Sequence, residues 1–581
     1  MQSISRYWTK KQIRRQLHIV SGEEQPTAVI ENGTYLNSMR KIWQKGHIWL
    51  DGSRIVYVGE ALPSSMDGIE RIDAEGFYLV PGYIEHHAHP FQLYNPLTLA
   101  RFGAERGTTT FVIDNLPFIL HLETADALRL IEEIQQTPAV MLWWARYDAQ
   151  TALINQHHIF SYSAMKAWLD HPYVVQGGEL TDWPGVLEGN DEILHWMLET
   201  KQAHKPIEGH LPGAGKETLA KMALLGVDGD HESMTAEDVL VRLDAGMTAS
   251  LRYSSIRPDL PAIISGLQQT GKVGYDDLMM TTDGSPPHFI KEGLMDMLID
   301  KAVAAGVPFI DAVLMCTKNP ARYFHLDDTI GIIAPGRLAN INFLPALTSA
   351  KPTDVLAKGE WVRKDNRPVF PKREIDWASF GFTPFHPEWE LTWNDLHFSI
   401  PLGVEMVNEV IMKPYQIQLD MTGDSLPDDC DECFLLLVDR FGKWSVTTLI
   451  KGFAAHIFGF ASSYSTTGDI LLIGKSKHGL LQAFQALKKQ RGGIVLLDQN
   501  GPAASIPLTI GGTFSEKPID GGLTAEENHL RAELFARGYP FNDPIYSLLF
   551  LSSTHLPYVR VTQKGIYDVK KKRVLFPSIM R

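Results

Sequence analysis

His87 and His89 close the run Leu79-Val80-Pro81-Gly82-Tyr83-Ile84-Glu85-His86-His87-Ala88-His89. A strand alternates its faces with period two, so these two imidazoles point the same way. Two imidazoles on one face at a strand's C-terminal end can grip one divalent ion. An isolated His-x-His pair is commonly surface chemistry, so the metal reading needs further ligands downstream. His86 falls on the opposite face and is expected to pack away from the ion.

Those ligands follow in order. Glu179 ends Gln176-Gly177-Gly178-Glu179, and His210 lies in Glu208-Gly209-His210-Leu211-Pro212. His231 and Glu232 follow Gly226-Val227-Asp228-Gly229-Asp230, and Asp283 ends Leu278-Met279-Met280-Thr281-Thr282-Asp283. Imidazole and carboxylate suit zinc, manganese and iron. A carboxylate such as Glu179 can bridge two ions, and one such as Asp283 can take and return a proton. A divalent ion lowers the pKa of bound water from about 15.7 to about 7, which supplies hydroxide at neutral pH. A lone His or Asp at a loop start is usually structural. The ordered set argues for a metal-dependent hydrolase.

The elements that must position these residues are strand ends. From about 78 to 330, short apolar runs alternate with longer helical stretches. Thr108 to Asp114, Val140 to Trp144 and Tyr173 to Val175 read as strands, and Ala125 to Gln136 as a helix. Repeated strand–helix units over this length predict a (β/α)8 TIM-type barrel, an α/β fold whose chemistry collects where strands end. Residues 27 to 60 read as short strands, with Asn32-Gly33 and Asp51-Gly52 as turns. The expected organisation is 1–77 as the first part of a small discontinuous β domain, 78–330 as the barrel, 331–370 as its second part, and 371–581 as an additional C-terminal α/β domain. A Pro- and aromatic-rich connector is expected over roughly 366 to 400.

The chain has 581 residues, a formal net charge of −14 and 44% hydrophobic residues. The acidic balance argues against nucleic acid as the main partner and suits a small ligand. Three cysteines are too few for a disulfide framework, which points to the cytoplasm. No apolar run reaches the ~18 residues of a membrane span, so no membrane association is expected. Lys10, Lys11, Arg14 and Arg15 lack the apolar core of a signal peptide and read as a surface helix. Cys430-x-x-Cys433 has acidic neighbours that disfavour thiolate, and Gly213-Ala214-Gly215-Lys216 fails phosphate-loop spacing.

The chain resembles the adenine deaminase family of the amidohydrolase superfamily. The resemblance runs through Pro81 to His89, Gly107-Thr108-Thr109-Thr110, Glu179-Leu180-Thr181-Asp182-Trp183-Pro184-Gly185-Val186, Glu208 to Pro212 and Asp230-His231-Glu232-Ser233. It continues through Thr282-Asp283, Thr317-Lys318-Asn319-Pro320-Ala321 and Ala334-Pro335-Gly336-Arg337. The resemblance implies His87, His89, Glu179, His210 and His231 as metal-site residues, Asp283 as catalytic acid/base and Glu232 as a proton shuttle. It implies one or two divalent ions (Mn, Fe or Zn), a small-molecule purine substrate and hydrolytic deamination of adenine to hypoxanthine and ammonia. Self-association into a homo-oligomer stays open.

Four segments depart from the family pattern. Asp114-Asn115-Leu116-Pro117 stands for Asp-Pro-His-Glu, and Arg252-Tyr253-Ser254-Ser255 for Arg-Glu-Gly-Ser. Gly284 stands for a second Asp, and Ser462 to Asp469 for His-Asp-Ser-His-Asn. These changes keep two alternatives open: a related hydrolase of another aminopurine or cyclic amide, and a non-catalytic purine-binding paralogue.

Overall fold

The computed structural model describes residues 9–271 and 274–581. Eight parallel strands run in chain order, each hydrogen-bonded to the next: Tyr83–Ala88, Thr108–Asp114, Val140–Ala145, Val174–Leu180, Ile207–Gly209, Gly229–Asp230, Thr248–Arg252 and Leu278–Thr281. Thr108–Asp114 and Val140–Ala145 are buried along their whole length. Their β-branched and aromatic side chains suit strands covered on both faces. The intervening helices present apolar stripes, such as Ala127, Leu130, Ile131 and Ile134 in Thr124–Ile134. This is the expected barrel. Backbone pairing does not close between the eighth and first strands among the described residues. The Glu85 side chain spans that seam, accepting bonds from Thr281 and Thr282.

The flanking β segments form one sheet, as expected. Ala28–Asn37 pairs with Ile42–Asp51 and Tyr78–Pro81, and Ile341–Leu344 pairs antiparallel with Tyr78–Pro81. Tyr78–Pro81 then leads through Gly82 into the first barrel strand. A Cβ at Gly82 would lie 2.1 Å from Thr109 Oγ1, so the close approach of two strands requires glycine there. Asp51-Gly52 turns the Ile42–Asp51/Arg54–Gly59 hairpin. Asn32-Gly33 does not form a turn. It lies inside Ala28–Asn37 at a register shift, with Asn32 at φ 60°, so its permissive backbone makes a bulge.

Between 369 and 401 the chain is irregular apart from two short 3-10 turns. Beyond it stands a nine-stranded sheet with Glu432–Val438 and Trp444–Lys451 near its centre, backed by the helix Lys477–Gln490. A three-stranded sheet of Val559–Thr562, Gly565–Asp568 and Arg573–Pro577 follows. These C-terminal elements bind to the barrel's loops. Tyr464 donates to Phe91 O at 2.8 Å, Thr151 to Ser552 O at 2.7 Å, and His288 lies 2.6 Å from Glu527. They roof the end of the barrel where the strands terminate.

Candidate metal centre

His87 lies in the first barrel strand and His89 just beyond its end. Period-two alternation breaks down here, because pairing with the second strand shifts between Glu85 and Ala88. His86 consequently turns into the barrel, its Nε2 2.8 Å from Ser250 Oγ on the seventh strand. His87 stacks on Trp144 at 4.6 Å and faces His231 at 4.0 Å.

The structure brings the six expected side chains together. Asp283 Oδ1 lies 3.4 Å from His87 Nε2 and 3.2 Å from His89 Nε2. Glu179 Oε1 lies 2.7 Å from His210 Nδ1 and 3.4 Å from His231 Nε2, while its Oε2 is 3.9 Å from His89 Nε2. Three overlapping groups result, each with ligand atoms within 4.8 Å of one another: His87, His89 and Glu179; His87, His231 and Asp283; Glu179, His210 and His231. His87 Nε2, His210 Nδ1, His231 Nε2 and Asp283 Oδ1 are all buried without a directed hydrogen bond. Buried polar atoms seldom stay unsatisfied. Four such atoms, on nitrogen and carboxylate donors spread over overlapping groups, fit divalent metal binding.

Around this set lies a layer of orienting partners. Asp114 Oδ2 is 2.9 Å from His89 Nδ1, and Glu208 Oε1 is 3.3 Å from His231 Nδ1. Such carboxylate–histidine contacts fix the ring and its tautomer. Arg146, fully buried on the loop after the third strand, contacts Asp114 Oδ2 at 2.5 Å and Glu179 Oε2 at 2.8 Å. Burial opposes the Glu179 charge, yet Arg146 and His210 hold its carboxyl well below the usual range. Sequence reasoning assigned no role to Arg146, which no local motif marks, or to Glu208, although it opens the Glu208–Pro212 segment that carries His210.

Arg252 lies 2.7 Å from both Asp283 Oδ2 and Glu232 Oε1, forming ion pairs with both carboxylates. Against the cost of burial, Arg252, His87 and His89 keep Asp283 well below the ordinary carboxylate range. Glu232 is clamped further by Arg257 at 2.9 Å and sits 3.5 Å from both His210 and His231. Burial pushes its pKa up, but His210, Arg252 and His231 bring it down to about 2. Glu232 is therefore an ionised neighbour of the cluster.

The altered segments now have physical roles. Gly284 has φ +65°, and a Cβ there would lie 2.2 Å from His89 N, so no larger residue fits beside Asp283. Asn115 accepts the Arg146 backbone N–H at 3.2 Å. Thr466, from the segment that replaces the histidine motif, lines the metal cavity with Tyr546, Phe550 and His555 of the roof.

An eight-stranded parallel barrel with this cluster at its strand ends has the layout of a metal-dependent hydrolase. Residues 78–362 match the family described as "Amidohydrolase family", and residues 409–573 match "Adenine deaminase C-terminal domain". Proteins named "Putative adenine deaminase" in Halalkalibacterium halodurans and Bacillus subtilis are 52% and 47% identical to this chain, each over 99% of both chains. The chain belongs to the adenine deaminase family. Among solved structures, an adenine deaminase is 16% identical with a TM-score of 0.44, over 58% of this chain and 100% of that one. A β-aspartyl dipeptidase from Fervidobacterium islandicum AW-1 is 19% identical with a TM-score of 0.48, over 60% of this chain and 100% of that one.

Proposed function

We propose that this chain is a hydrolase of C–N bonds in cyclic amidines, converting adenine and water to hypoxanthine and ammonia. The observation that carries this reading is the convergence of His87, His89, Glu179, His210, His231 and Asp283 beneath a roof matching the adenine deaminase C-terminal domain. His87, His89, Glu179, His210 and His231 would hold one or two divalent ions. Such an ion supplies a hydroxide nucleophile at neutral pH.

The protein's own work is proton handling and orientation. Asp283 has one oxygen tied to Arg252 and the other free of directed hydrogen bonds. The free Oδ1 accepts the proton of the attacking water and returns it to the exocyclic nitrogen at C6, which leaves as ammonia. Asp114 and Glu208 keep the His89 and His231 rings in place. Glu232, held ionised between Arg252 and Arg257, would serve as a proton shuttle at the edge of the cluster.

The donor set suits manganese, iron or zinc, and the low cysteine count supports a reducing, cytoplasmic setting. No described helix is long and apolar enough to cross a membrane. Ammonia release from a panel of aminopurines and cyclic amides, with elemental analysis, tests the proposal. Release from adenine with bound metal is expected. Bound metal with release only from another member would replace adenine as substrate, and no release at all would favour the non-catalytic alternative.

A further inference from the structure

The metal cavity itself is small, about 50 Å³, and is walled by His89, Glu179, His210, Asp283 and the roof. Beside it opens a larger chamber of about 610 Å³ between barrel loops and the C-terminal three-stranded sheet, with Asp148, Thr151, Asp182, Lys564 and Tyr567 in its lining. Among the described residues, only Gln150 and His555 line both spaces. They form the neck between them.

His555 is built into that position. The Thr554 N–H donates to Gln150 O at 2.7 Å, and Thr151 Oγ1 donates to Ser552 O at 2.7 Å, so the loop that carries His555 is sewn to the barrel. Its ring meets His210 edge-on at 5.1 Å and Phe550 at 6.0 Å. Its Nδ1 is shielded from solvent and has no hydrogen-bond partner. A neutral imidazole offers one donor and one acceptor, and a shielded Nδ1 without a partner on a half-buried ring suits a polar ligand atom.

Resting on the purine reading above, we propose that His555 is a specificity-determining residue that admits the free purine base and bars the N9-ribosylated nucleoside. The base would lie between the metal cavity and the neck, with a polar edge on His555. With C6 at the metal cavity and N9 toward the neck, a ribose would fall in the space the imidazole fills, and the outer chamber would accept it only once that ring is removed. Excluding a competitor by steric obstruction is a common route to specificity.

The test titrates hypoxanthine and inosine, the base and nucleoside products, calorimetrically into the metal-loaded wild type, His555→Ala and His555→Gln. The wild type is expected to prefer hypoxanthine by at least about 100-fold. His555→Ala should narrow that ratio by about tenfold or more through weaker base and tighter nucleoside binding. His555→Gln keeps bulk and a polar tip and should stay within about threefold of the wild-type ratio. Metal content and Tm should be unchanged in both; should the alanine variant not fold, His555→Ser takes its place. An unchanged ratio on truncation, or a wild type that binds inosine as well as hypoxanthine, would overturn the proposal. Ammonia release from adenine by the wild type is scored separately: base-selective binding without release would sink the deaminase reading and leave the gate standing. A wild type that binds neither ligand would overturn both.

Discussion

Glu85 and Thr282 are joined twice, the Glu85 carboxylate accepting the Thr282 backbone N–H at 3.0 Å and its hydroxyl at 2.6 Å. Glu85 also accepts the Thr281 hydroxyl at 2.8 Å, and that hydroxyl oxygen accepts the Asp283 N–H at 2.9 Å. A side chain on the first strand thereby takes over where the backbone ladder stops, and it aims Asp283. Burial pushes the Glu85 carboxyl up to about 7, with the Thr282 and Thr281 bonds opposing that rise.

Glu85→Ala should therefore loosen the barrel and the site together. It strands the buried Thr282 N–H and hydroxyl, at about 1–3 kcal/mol for each one left unsatisfied, while the Thr281 hydroxyl keeps His87 O at 2.6 Å. We expect a loss of about 3 kcal/mol in denaturant unfolding, with reduced metal retention. Glu85→Gln should cost less, because its carbonyl still accepts. A loss under about 1 kcal/mol for the alanine variant would show that the seam does not depend on this residue.

Arg146 is the buried cation between Asp114 and Glu179, and removing one partner of such a network leaves uncompensated charge. Arg146→Met should destabilise the metal-free protein by about 3–5 kcal/mol. Saturating divalent metal should recover part of that loss, because an ion bound to the folded state alone stabilises it and offsets the freed Glu179 charge. Thermal unfolding in chelator and in excess manganese checks both halves. Equal destabilisation under the two conditions would separate Arg146 from the metal site.

Asp283→Asn removes the oxygen that accepts the proton while leaving a similar shape beside Arg252. Loss of a general acid/base typically costs about 10²–10⁴-fold in rate. A fall of that size in kcat, with most of the metal retained, is expected from steady-state ammonia release and elemental analysis. Wild-type kcat in this variant would remove Asp283 from the acid/base role.

These expectations divide according to what the sequence could carry. His87, His89, Glu179, His210, His231 and Asp283 were legible because each stands where a short strand hands over to a loop, and strand ends in a barrel share one rim. Arg146, Glu85, Glu208 and His555 were not, since their partners lie tens to hundreds of residues away and no local pattern records such pairings. His86 joins none of the metal-ligating groups among the described residues, in line with its expected packing away from the ion, but a register shift turns it toward Ser250 inside the barrel. Asn32-Gly33 was misread because a left-handed residue serves a bulge as well as a turn. The C-terminal elements were visible as mixed α/β, but their position over the site depends on contacts such as Tyr464 to Phe91.

Gly284 has an expected outcome of its own. Its φ of +65° disfavours any side chain, and an added Cβ would also meet the His89 backbone at 2.2 Å. Gly284→Ala should displace His89 and lower metal affinity by tenfold or more (~1.4 kcal/mol). Gly284→Asp, which restores the family's second Asp, should be worse. Competition against a chelator measures both, and retention of wild-type affinity in the alanine variant would show that the His89 loop yields freely.

Asp469 supplies a pH dependence remote from the metal. Burial lifts its pKa to about 7, although Thr467 at 2.5 Å and Gln563 at 2.9 Å donate to it. The folded state then holds a proton that the unfolded chain has already released, between the ordinary Asp value near 4 and about 7. Stability contributed by this group is present at low pH, falls as pH rises through that window, and is level above it. Asp469→Asn does not titrate, so the difference in unfolding free energy between mutant and wild type should shift by about 2 kcal/mol in the mutant's favour from pH 5 to pH 8. Denaturant unfolding at the two pH values reads that shift directly. A difference that stays constant across the window would mean that Asp469 is ionised in the native protein, with Arg440 and the two donors outweighing its burial.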